Sequence, residues 1–115
     1  MNPVLNQIGG IFIPVSNIEH ARDWYCDILG LPADGELYFG HIYVLPMTGP
    51  NIVLDSKIFA EDHVYKIPAV QFRTDDIHAA YKYMQSKNVQ LITGIENGHW
   101  FNFKDPDGNI LMVCQ

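Results

Sequence analysis

The stretch GIFIPVSNI at residues 10–18 decides the fold of this chain, because the stretch AVQFRTDDI at residues 69–77 repeats its pattern. In each copy, alternating apolar residues typical of a strand lead through a polar turn into a segment with helical periodicity. A second pair of matched runs follows, NIVL at residues 51–54 and NILM at residues 109–112. The offset is 59 residues at Ile18 and Ile77 and 58 at Asn51 and Asn109. The chain is therefore predicted to contain a duplicated unit.

Each copy predicts the order strand, helix, strand, strand, strand. The predicted strands are 8–15, 37–39, 41–45 and 51–56 in the first copy and 69–73, 90–95, 100–103 and 110–114 in the second. The helix boundaries come from capping and stop residues, which are Ser16 with Glu19, Gly30 with Pro32, Asp75 or Asp76, and Lys87 with Asn88. We expect one domain over residues 1–115, with modules at about 1–56 and 69–115 and a connection at 57–68.

Composition excludes several classes of protein. The net charge of −6 disfavours a nucleic-acid partner, which would require a clustered basic face. No apolar run approaches the roughly 18 residues of a membrane span, and no signal peptide is visible, so the expected compartment is the cytoplasm. Cys26 and Cys114 have no metal-binding or disulfide-framework spacing and are expected to be reduced thiols.

Two end motifs make the pattern more specific. The first is Val15-Ser16-Asn17-Ile18 followed by Trp24-Tyr25 and Leu29-Gly30-Leu31, and the second runs from Phe101 to Asn109 as FNFKDPDGN. Together with the repeated element order, they resemble the vicinal oxygen chelate superfamily, which includes glyoxalase I, extradiol dioxygenases, fosfomycin-resistance enzymes and bleomycin-resistance proteins. The resemblance spans essentially the whole chain.

The resemblance implies an α+β fold of two βαβββ modules, whose mixed sheet curls into a cup with the helices on its outer face. It also implies a homodimer. In the enzymes of the family each module supplies metal ligands from its first and last strands. The matching positions here are Gly10 and Leu54 in the first module and Ala69 and Met112 in the second. None of these side chains offers an oxygen or imidazole ligand, so the resemblance implies no metal and no other cofactor.

Strand alternation then predicts which side chains share the cup face. The expected cup face carries Gly10 and Phe12; Ile52, Leu54 and Ser56; Ala69, Gln71 and Arg73; and Ile110, Met112 and Cys114. The opposite face carries Ile11, Ile13 and Val15; Val53; Val70 and Phe72; and Leu111 and Val113. Because this second set is entirely apolar, it is expected to pack under the helices.

The cup face supplies the candidate ligand-binding residues, which are Phe12, Tyr43, Leu54, Gln71, Arg73, Trp100, Asn102 and Met112. Arg73 and Gln71 interrupt an apolar strand and are suited to an anionic or hydrogen-bonding ligand, although Arg73 also fits a solvated strand end. Phe12, Tyr43 and Trp100 would form an aromatic wall for a planar ligand, and the alternative is that such aromatics only fill a core.

The histidines offer one further possibility. His20 and His78 are expected on exposed helix surfaces. His41, His63 and His99 lie on or near strands or the connection, where a displaced metal site with Asp55 or Glu96 would need them to converge. They lack the spacing of a metal-binding motif, and the sequence alone leaves metal binding by these three residues open.

The favoured hypothesis is a metal-free small-molecule-binding protein of the bleomycin-resistance type, with an apolar, partly aromatic cleft for an aromatic or antibiotic-like ligand and no catalytic residue. The alternative is a glyoxalase-like lyase or dioxygenase with a displaced metal site or metal-independent chemistry. A third reading is a regulatory or scaffolding dimer whose cleft is vestigial. The identity of the ligand, and whether the cleft lies within one chain or across a dimer, stay open at this stage.

Overall fold

A computed structural model describes residues 2–115 and has the duplicated α+β fold that the sequence predicts. The first module contains β1 (Gly10–Pro14), α1 (Ile18–Leu29), β2 (Leu37–Tyr38), β3 (Ile42–Leu45) and β4 (Asn51–Asp55). The second contains β5 (Gln71–Arg73), α2 (Ile77–Ser86), β6 (Gln90–Leu91), β7 (Trp100–Lys104) and β8 (Ile110–Cys114). The connection at 57–68 contains turns, and the predicted strand at 90–95 is confined to Gln90–Leu91.

Each module forms its own four-stranded mixed sheet. The strand orders are β1-β4-β3-β2 and β5-β8-β7-β6, with a parallel pair at the first position and antiparallel pairs after it. The two sheets also share a backbone hydrogen bond at the end of the parallel strand pair. The Val15 N–H donates to the Asp55 carbonyl and the Thr74 N–H donates to the Cys114 carbonyl, at 3.1 and 3.0 Å. The sheets are open, and neither closes into a barrel.

The capping residues predicted from the sequence are found at the ends of both helices, except at the start of α1. The predicted N-cap Ser16 is wrong: Asn17 caps α1, and its side chain accepts a hydrogen bond from the His20 N–H. Asp76 caps α2 in the same way through the Ala79 N–H. Gly30 ends α1 in the left-handed conformation at φ 67°, which glycine adopts without steric cost. No helix within residues 2–115 has the length and apolarity needed to cross a bilayer.

One face of each sheet packs under its helix and forms the core. The side chains of Ile13, Tyr43 and Leu54 point to α1, and those of Phe101, Phe103 and Leu111 point to α2. The Tyr81 ring of α2 meets the Phe101 ring edge-on, with the ring centroids 5.1 Å apart. The other face of each sheet carries no helix.

A polar cluster in the β7–β8 turn joins the second module to the first. Asn109 is fully buried; its Nδ2 donates to the Pro14 carbonyl at 2.8 Å, and its Oδ1 accepts from the Tyr65 N–H at 2.9 Å. Asp105 is also buried and accepts hydrogen bonds from the Tyr25 hydroxyl at 2.6 Å and from Asn109 Nδ2 at 2.8 Å. We call Tyr25, Asp105 and Asn109 the intermodule latch.

The surroundings of the latch explain its electrostatics. Burial raises the pKa of Asp105 despite the hydrogen bonds that favour its charged form. Burial, and then the nearby Asp105 charge, raise the pKa of Tyr25 well above 10.0, so its hydroxyl stays a donor. At the rim of the turn, the Asp107 carboxylate accepts from both the N–H and the hydroxyl of Ser16, at 3.0 and 2.5 Å. This contact uses Ser16 to join the modules rather than to cap α1.

We expect Asn109→Ala to lower the free energy of unfolding by about 3 kcal/mol, because it removes hydrogen bonds to two modules and leaves buried polar groups unpaired. Denaturant unfolding followed by circular dichroism measures the change. Asn6→Ala, at an exposed position, is the matched control and should change stability by less than about 0.5 kcal/mol. Equal stability of the two variants would contradict an energetic role for the latch.

Candidate ligand-binding faces

The face of the first sheet that lies away from α1 is apolar. Strand register places Phe12 beside Val53 and Val53 beside Val44, and partners in register project from the same face. Phe12 is 49% exposed, while Val44 and Val53 are half-buried. Tyr38 and Ile42 extend the same face toward the sheet edge. We call this surface the first open face.

The equivalent row of the second sheet contains two polar side chains on either side of a methionine. Gln71 lies beside Met112, and Met112 lies beside Asn102. Gln71 Nε2 donates to the Met112 thioether sulfur at 3.3 Å. The next row along the strands contains Arg73, Cys114 and Trp100. We call this surface the second open face.

One side-chain oxygen of the second sheet, Asn102 Oδ1, is buried without a hydrogen-bond partner in the part of the chain that the structure describes. Asn102 Oδ1 is the single buried side-chain oxygen or nitrogen, within residues 2–115, that makes no hydrogen bond. The backbone of Asn102 is fully engaged, since its N–H donates to the Thr93 hydroxyl and its carbonyl accepts from the Ile92 N–H. Buried acceptors are nearly always paired, so this oxygen carries an uncompensated desolvation cost. Because the atom has no accessible surface, a ligand donor would reach it only if the Asn102 side chain turned outward.

Two of the predicted ligand-binding residues are on the wrong face. Tyr43 and Leu54 are 1% and 0% exposed and belong to the core under α1. The Tyr43 hydroxyl is used internally, as an acceptor for the Gly35 N–H at 3.0 Å. Neither side chain reaches the first open face, whereas Phe12, Gln71, Arg73, Trp100, Asn102 and Met112 lie on the open faces as expected.

The error has a simple cause in the alignment of the two copies. The sequence pairs Asn51 with Asn109, which makes Leu54 equivalent to Met112. The register instead pairs Phe12 with Val53 and Gln71 with Met112, so the equivalent of Met112 is Val53. A shift of one residue along a strand moves a side chain to the opposite face. The predicted cup-face set Ile52 and Leu54 is therefore wrong, and Val53 replaces it.

The positions that would carry metal ligands in enzymes of the resembled family are Gly10, Val53, Ala69 and Met112 after this correction. Space is restricted at the first of them, because a Cβ on Gly10 would lie 3.2 Å from Val53 Cγ2. Within the part of the chain that the structure describes, no three His, Cys, Asp or Glu side chains group closely enough to hold a metal ion.

The three histidines singled out by the sequence have different surroundings. His41 Nδ1 lies 2.8 Å from Asp55 Oδ1. His63 Nδ1 lies 3.0 Å from the Ile58 carbonyl and is mostly exposed. His99 is exposed. A displaced site of three such residues is therefore not assembled among residues 2–115, and only the pair of His41 and Asp55 is brought together.

A cavity that the sequence did not predict lies on the helix side of the second sheet. It measures about 340 Å³ and is lined mainly by apolar side chains, among them Ile28 and Leu29 of α1, Phe72 of β5, and Tyr83 and Met84 of α2. The Tyr83 hydroxyl donates to the Ile28 carbonyl at 2.9 Å at its margin. This cavity is formed where the two helices meet. It does not include the row of Gln71, Met112 and Asn102, but Arg73 at the end of β5 lines it as well.

Residues 5–113 match the family model described as the glyoxalase/bleomycin resistance protein/dioxygenase superfamily. A comparison with curated protein sequences found no match.

Among solved structures, the antibiotic-binding protein TnmS3 from Streptomyces sp. CB03234 has a TM-score of 0.76 and 24% identity, over 99% of this chain and 98% of that chain. A glyoxalase/bleomycin resistance protein from the same strain has a TM-score of 0.70 and 26% identity, over 93% and 99%. A superfamily member from Sphaerobacter thermophilus DSM 20745 has a TM-score of 0.72 and 21% identity, over 96% and 97%. At 24% and 21% identity, the likeness to the first and third concerns the fold.

We expect Leu54→Ala to lower the free energy of unfolding by roughly 2–5 kcal/mol, because it leaves a cavity under α1. Val53→Ala removes a smaller, half-buried side chain from the open face and should cost less than about 1.5 kcal/mol. Denaturant unfolding of the two variants compares the two faces directly. A larger loss for Val53→Ala would show that the assigned register is reversed.

Proposed function

Because the chain belongs to the glyoxalase/bleomycin resistance protein/dioxygenase superfamily, we propose that it binds a small planar molecule on its open sheet faces without a metal ion. The observation that carries the proposal is the group of polar and aromatic side chains on the second open face, where Gln71 and Asn102 lie in one row and Arg73 and Trp100 in the next. The unpaired Asn102 Oδ1 adds to it, because leaving a buried acceptor unpaired costs about 1–3 kcal/mol. A ligand N–H or O–H that met this oxygen after the Asn102 side chain turned outward would remove that cost.

The surrounding side chains support a planar and anionic ligand. Phe12 and Trp100 are partly exposed aromatic side chains that can stack on a flat ring. Arg73 is exposed and forms no salt bridge with any side chain in residues 2–115, so its guanidinium is free to bind a carboxylate, sulfonate or phosphate. Gln71 supplies an amide beside them. The antibiotic-binding neighbour of the same fold, TnmS3, shows that this scaffold can serve ligand binding, and it supports the proposal to that extent.

Metal-free binding is supported by the residue types at Gly10, Val53, Ala69 and Met112. Polarisation of substrate oxygens by a metal is the main catalytic resource of enzymes that use one. The four positions offer no hard donor for such a metal, so sequestration of the ligand fits them better than catalysis.

We also propose that the protein is a homodimer in the cytoplasm. The first open face carries partly exposed apolar side chains, of which Phe12 and Tyr38 are 49% and 45% exposed. The radius of gyration is 14.7 Å, against about 13 Å for a compact chain of this length, as expected when neither sheet is covered on both sides. A second copy would stand opposite these faces, so that the ligand lies in a cleft between the two chains. The free thiols Cys26 and Cys114 suit a reducing compartment.

We expect 8-anilino-1-naphthalenesulfonate, a planar anionic probe, to bind the folded protein with saturation. Trp100→Ala, which alters the open face and not the cavity, should weaken binding about tenfold, because a stacking contact is lost. Arg73→Ala should weaken binding to a similar extent, because a charge-assisted hydrogen bond is lost, although Arg73 borders both the open face and the cavity. Fluorescence titration measures the dissociation constants. Tyr83→Ala, which alters an aromatic residue at the cavity on the helix side, should leave them unchanged.

The same preparation tests the absence of a metal. Elemental analysis of protein purified without a chelator or a metal-binding tag should find no divalent ion at stoichiometric level. A stoichiometric metal, or probe binding that is unaffected by Arg73→Ala and Trp100→Ala but lost in Tyr83→Ala, would overturn the proposal.

We expect sedimentation equilibrium to give the mass of a dimer for the unaltered chain and of a folded monomer for Phe12→Glu. A charge on an apolar contact face is costly to bury without a partner. Ile67→Glu is the control, since Ile67 is 71% exposed and lies in the connection rather than on a strand of either sheet. A monomeric unaltered chain, or dissociation caused equally by both substitutions, would contradict the assignment.

A further inference from the structure

The pair of His41 and Asp55 lies at one end of the first open face. Asp55 is two residues after Val53 on β4 and therefore shares its face, and register places it beside Pro14 and Ile42. Its side chain is only 6% exposed. Its Oδ1 accepts from the Lys57 N–H at 2.9 Å and lies 2.8 Å from His41 Nδ1. The carboxylate is therefore fixed and faces the imidazole.

The contact with Asp55 determines the tautomer of the His41 imidazole, and so the hydrogen-bonding role of Nε2. When Nδ1–H donates to a carboxylate, a neutral imidazole carries its lone pair on Nε2 and acts there as an acceptor. Nε2 of His41 has no hydrogen-bond partner in residues 2–115 and is not among the buried unpaired atoms, so it is open to an incoming group. The imidazole as a whole keeps 25% of its surface exposed.

The repeat provides an internal comparison. The His41 carbonyl accepts from the Ser56 N–H at 3.0 Å, and the His99 carbonyl accepts from the Gln115 N–H at 2.8 Å. His41 and His99 therefore hold equivalent places in the two modules. Opposite β7, however, the place of Asp55 is taken by Cys114. Only the first module combines the histidine with a buried carboxylate.

An aromatic side chain lies beside the imidazole. The Phe39 ring is 6.3 Å from the His41 ring, and Phe39 is 87% exposed. Its φ of 55°, in the left-handed region, is rare for a bulky residue and places it in the turn between β2 and β3. Tyr38 and Ile42 lie on the open face beside this turn. A flat ring stacked on this face beside Phe39 would lie next to the imidazole.

From this geometry we propose that His41 and Asp55 form the proton-accepting end of the ligand site and select planar ligands that carry a weakly acidic hydroxyl, such as a phenol or an enol. The ligand O–H donates to Nε2. For an acidic hydroxyl the O–H bond breaks, an Nε2–H bond forms, and the resulting imidazolium is neutralised by the Asp55 carboxylate while the ligand remains as its oxyanion. No further reactant is needed. This assignment rests on the proposed small-molecule binding.

The test compares 4-nitrophenol with 4-nitroanisole, in which a methyl group replaces the hydroxyl proton. We expect the Kd of the unaltered protein for the phenol to be at least about tenfold lower than its Kd for the anisole. The reason is that a hydrogen bond between the phenol and the imidazole paired with Asp55 contributes roughly 1.5 kcal/mol or more. The phenolate absorbance should rise on binding. Calorimetry gives both dissociation constants without any substitution, so the comparison does not depend on a variant that folds.

His41→Gln should abolish the preference for the phenol and the rise in absorbance, and Asp55→Asn should reduce both. His99→Gln is the matched control and should change neither. Equal affinity for the two probes in the unaltered protein, or a preference that persists in folded His41→Gln, would overturn the assignment. Failure of both probes to bind would also overturn it. If 8-anilino-1-naphthalenesulfonate still bound in that case, the proposed function would stand; if it did not, both would fall.

Discussion

The buried hydrogen bonds between Asp105, Asn109 and Tyr25 are the constraint on which the arrangement of the two modules depends. Each module has its own sheet and its own helix, so strand pairing alone does not relate one module to the other. The latch does so in the interior, by connecting the β7–β8 turn to the Pro14 carbonyl at the end of β1 and to the Tyr25 hydroxyl of α1. Contacts nearer the surface, between Tyr83 and Ile28 and between Ser16 and Asp107, add to it. Buried polar groups of this kind are costly unless all are paired, which gives the junction a single geometry.

The duplicated units differ at the latch. The β3–β4 turn of the first module contains Pro46, Thr48 and Pro50 and carries no equivalent of the Asp105 and Asn109 pair. The asymmetry extends to the open faces. The row of Phe12, Val53 and Val44 is apolar, while the equivalent row has two polar residues, Gln71 and Asn102, on either side of Met112. The first open face is thus apolar and the second open face carries polar groups. The proposed ligand, a flat ring with polar substituents, suits this combination.

Much of the fold was predictable from the sequence, because its strongest signals are local. The alternation around Ile11 and Ile13, the stop at Gly30 and the turn from Asp105 to Asn109 each depend on a few neighbouring residues. The prediction erred where two local signals competed. Ser16 and Asn17 are both good caps, and Asn17 caps the helix because Ser16 is bound to Asp107 across the module boundary. The asparagines Asn51 and Asn109 look equivalent, but Asn51 lies within β4 and Asn109 precedes β8, which shifted Leu54 to the wrong face.

The sequence by itself determined the duplication, the element order, the apolar character of the faces under the helices and three of the four positions that match metal ligands in the resembled enzymes, namely Gly10, Ala69 and Met112. These follow from patterns of two, three or four residues, which short-range sterics and burial enforce. Only the tertiary structure decided which of Val53 and Leu54 faces outward, that Asn102 Oδ1 is left unpaired, and that His41 meets Asp55 while His99 meets no carboxylate. Those outcomes depend on strand register and on contacts between residues distant in the chain, and a shift of one residue reverses them.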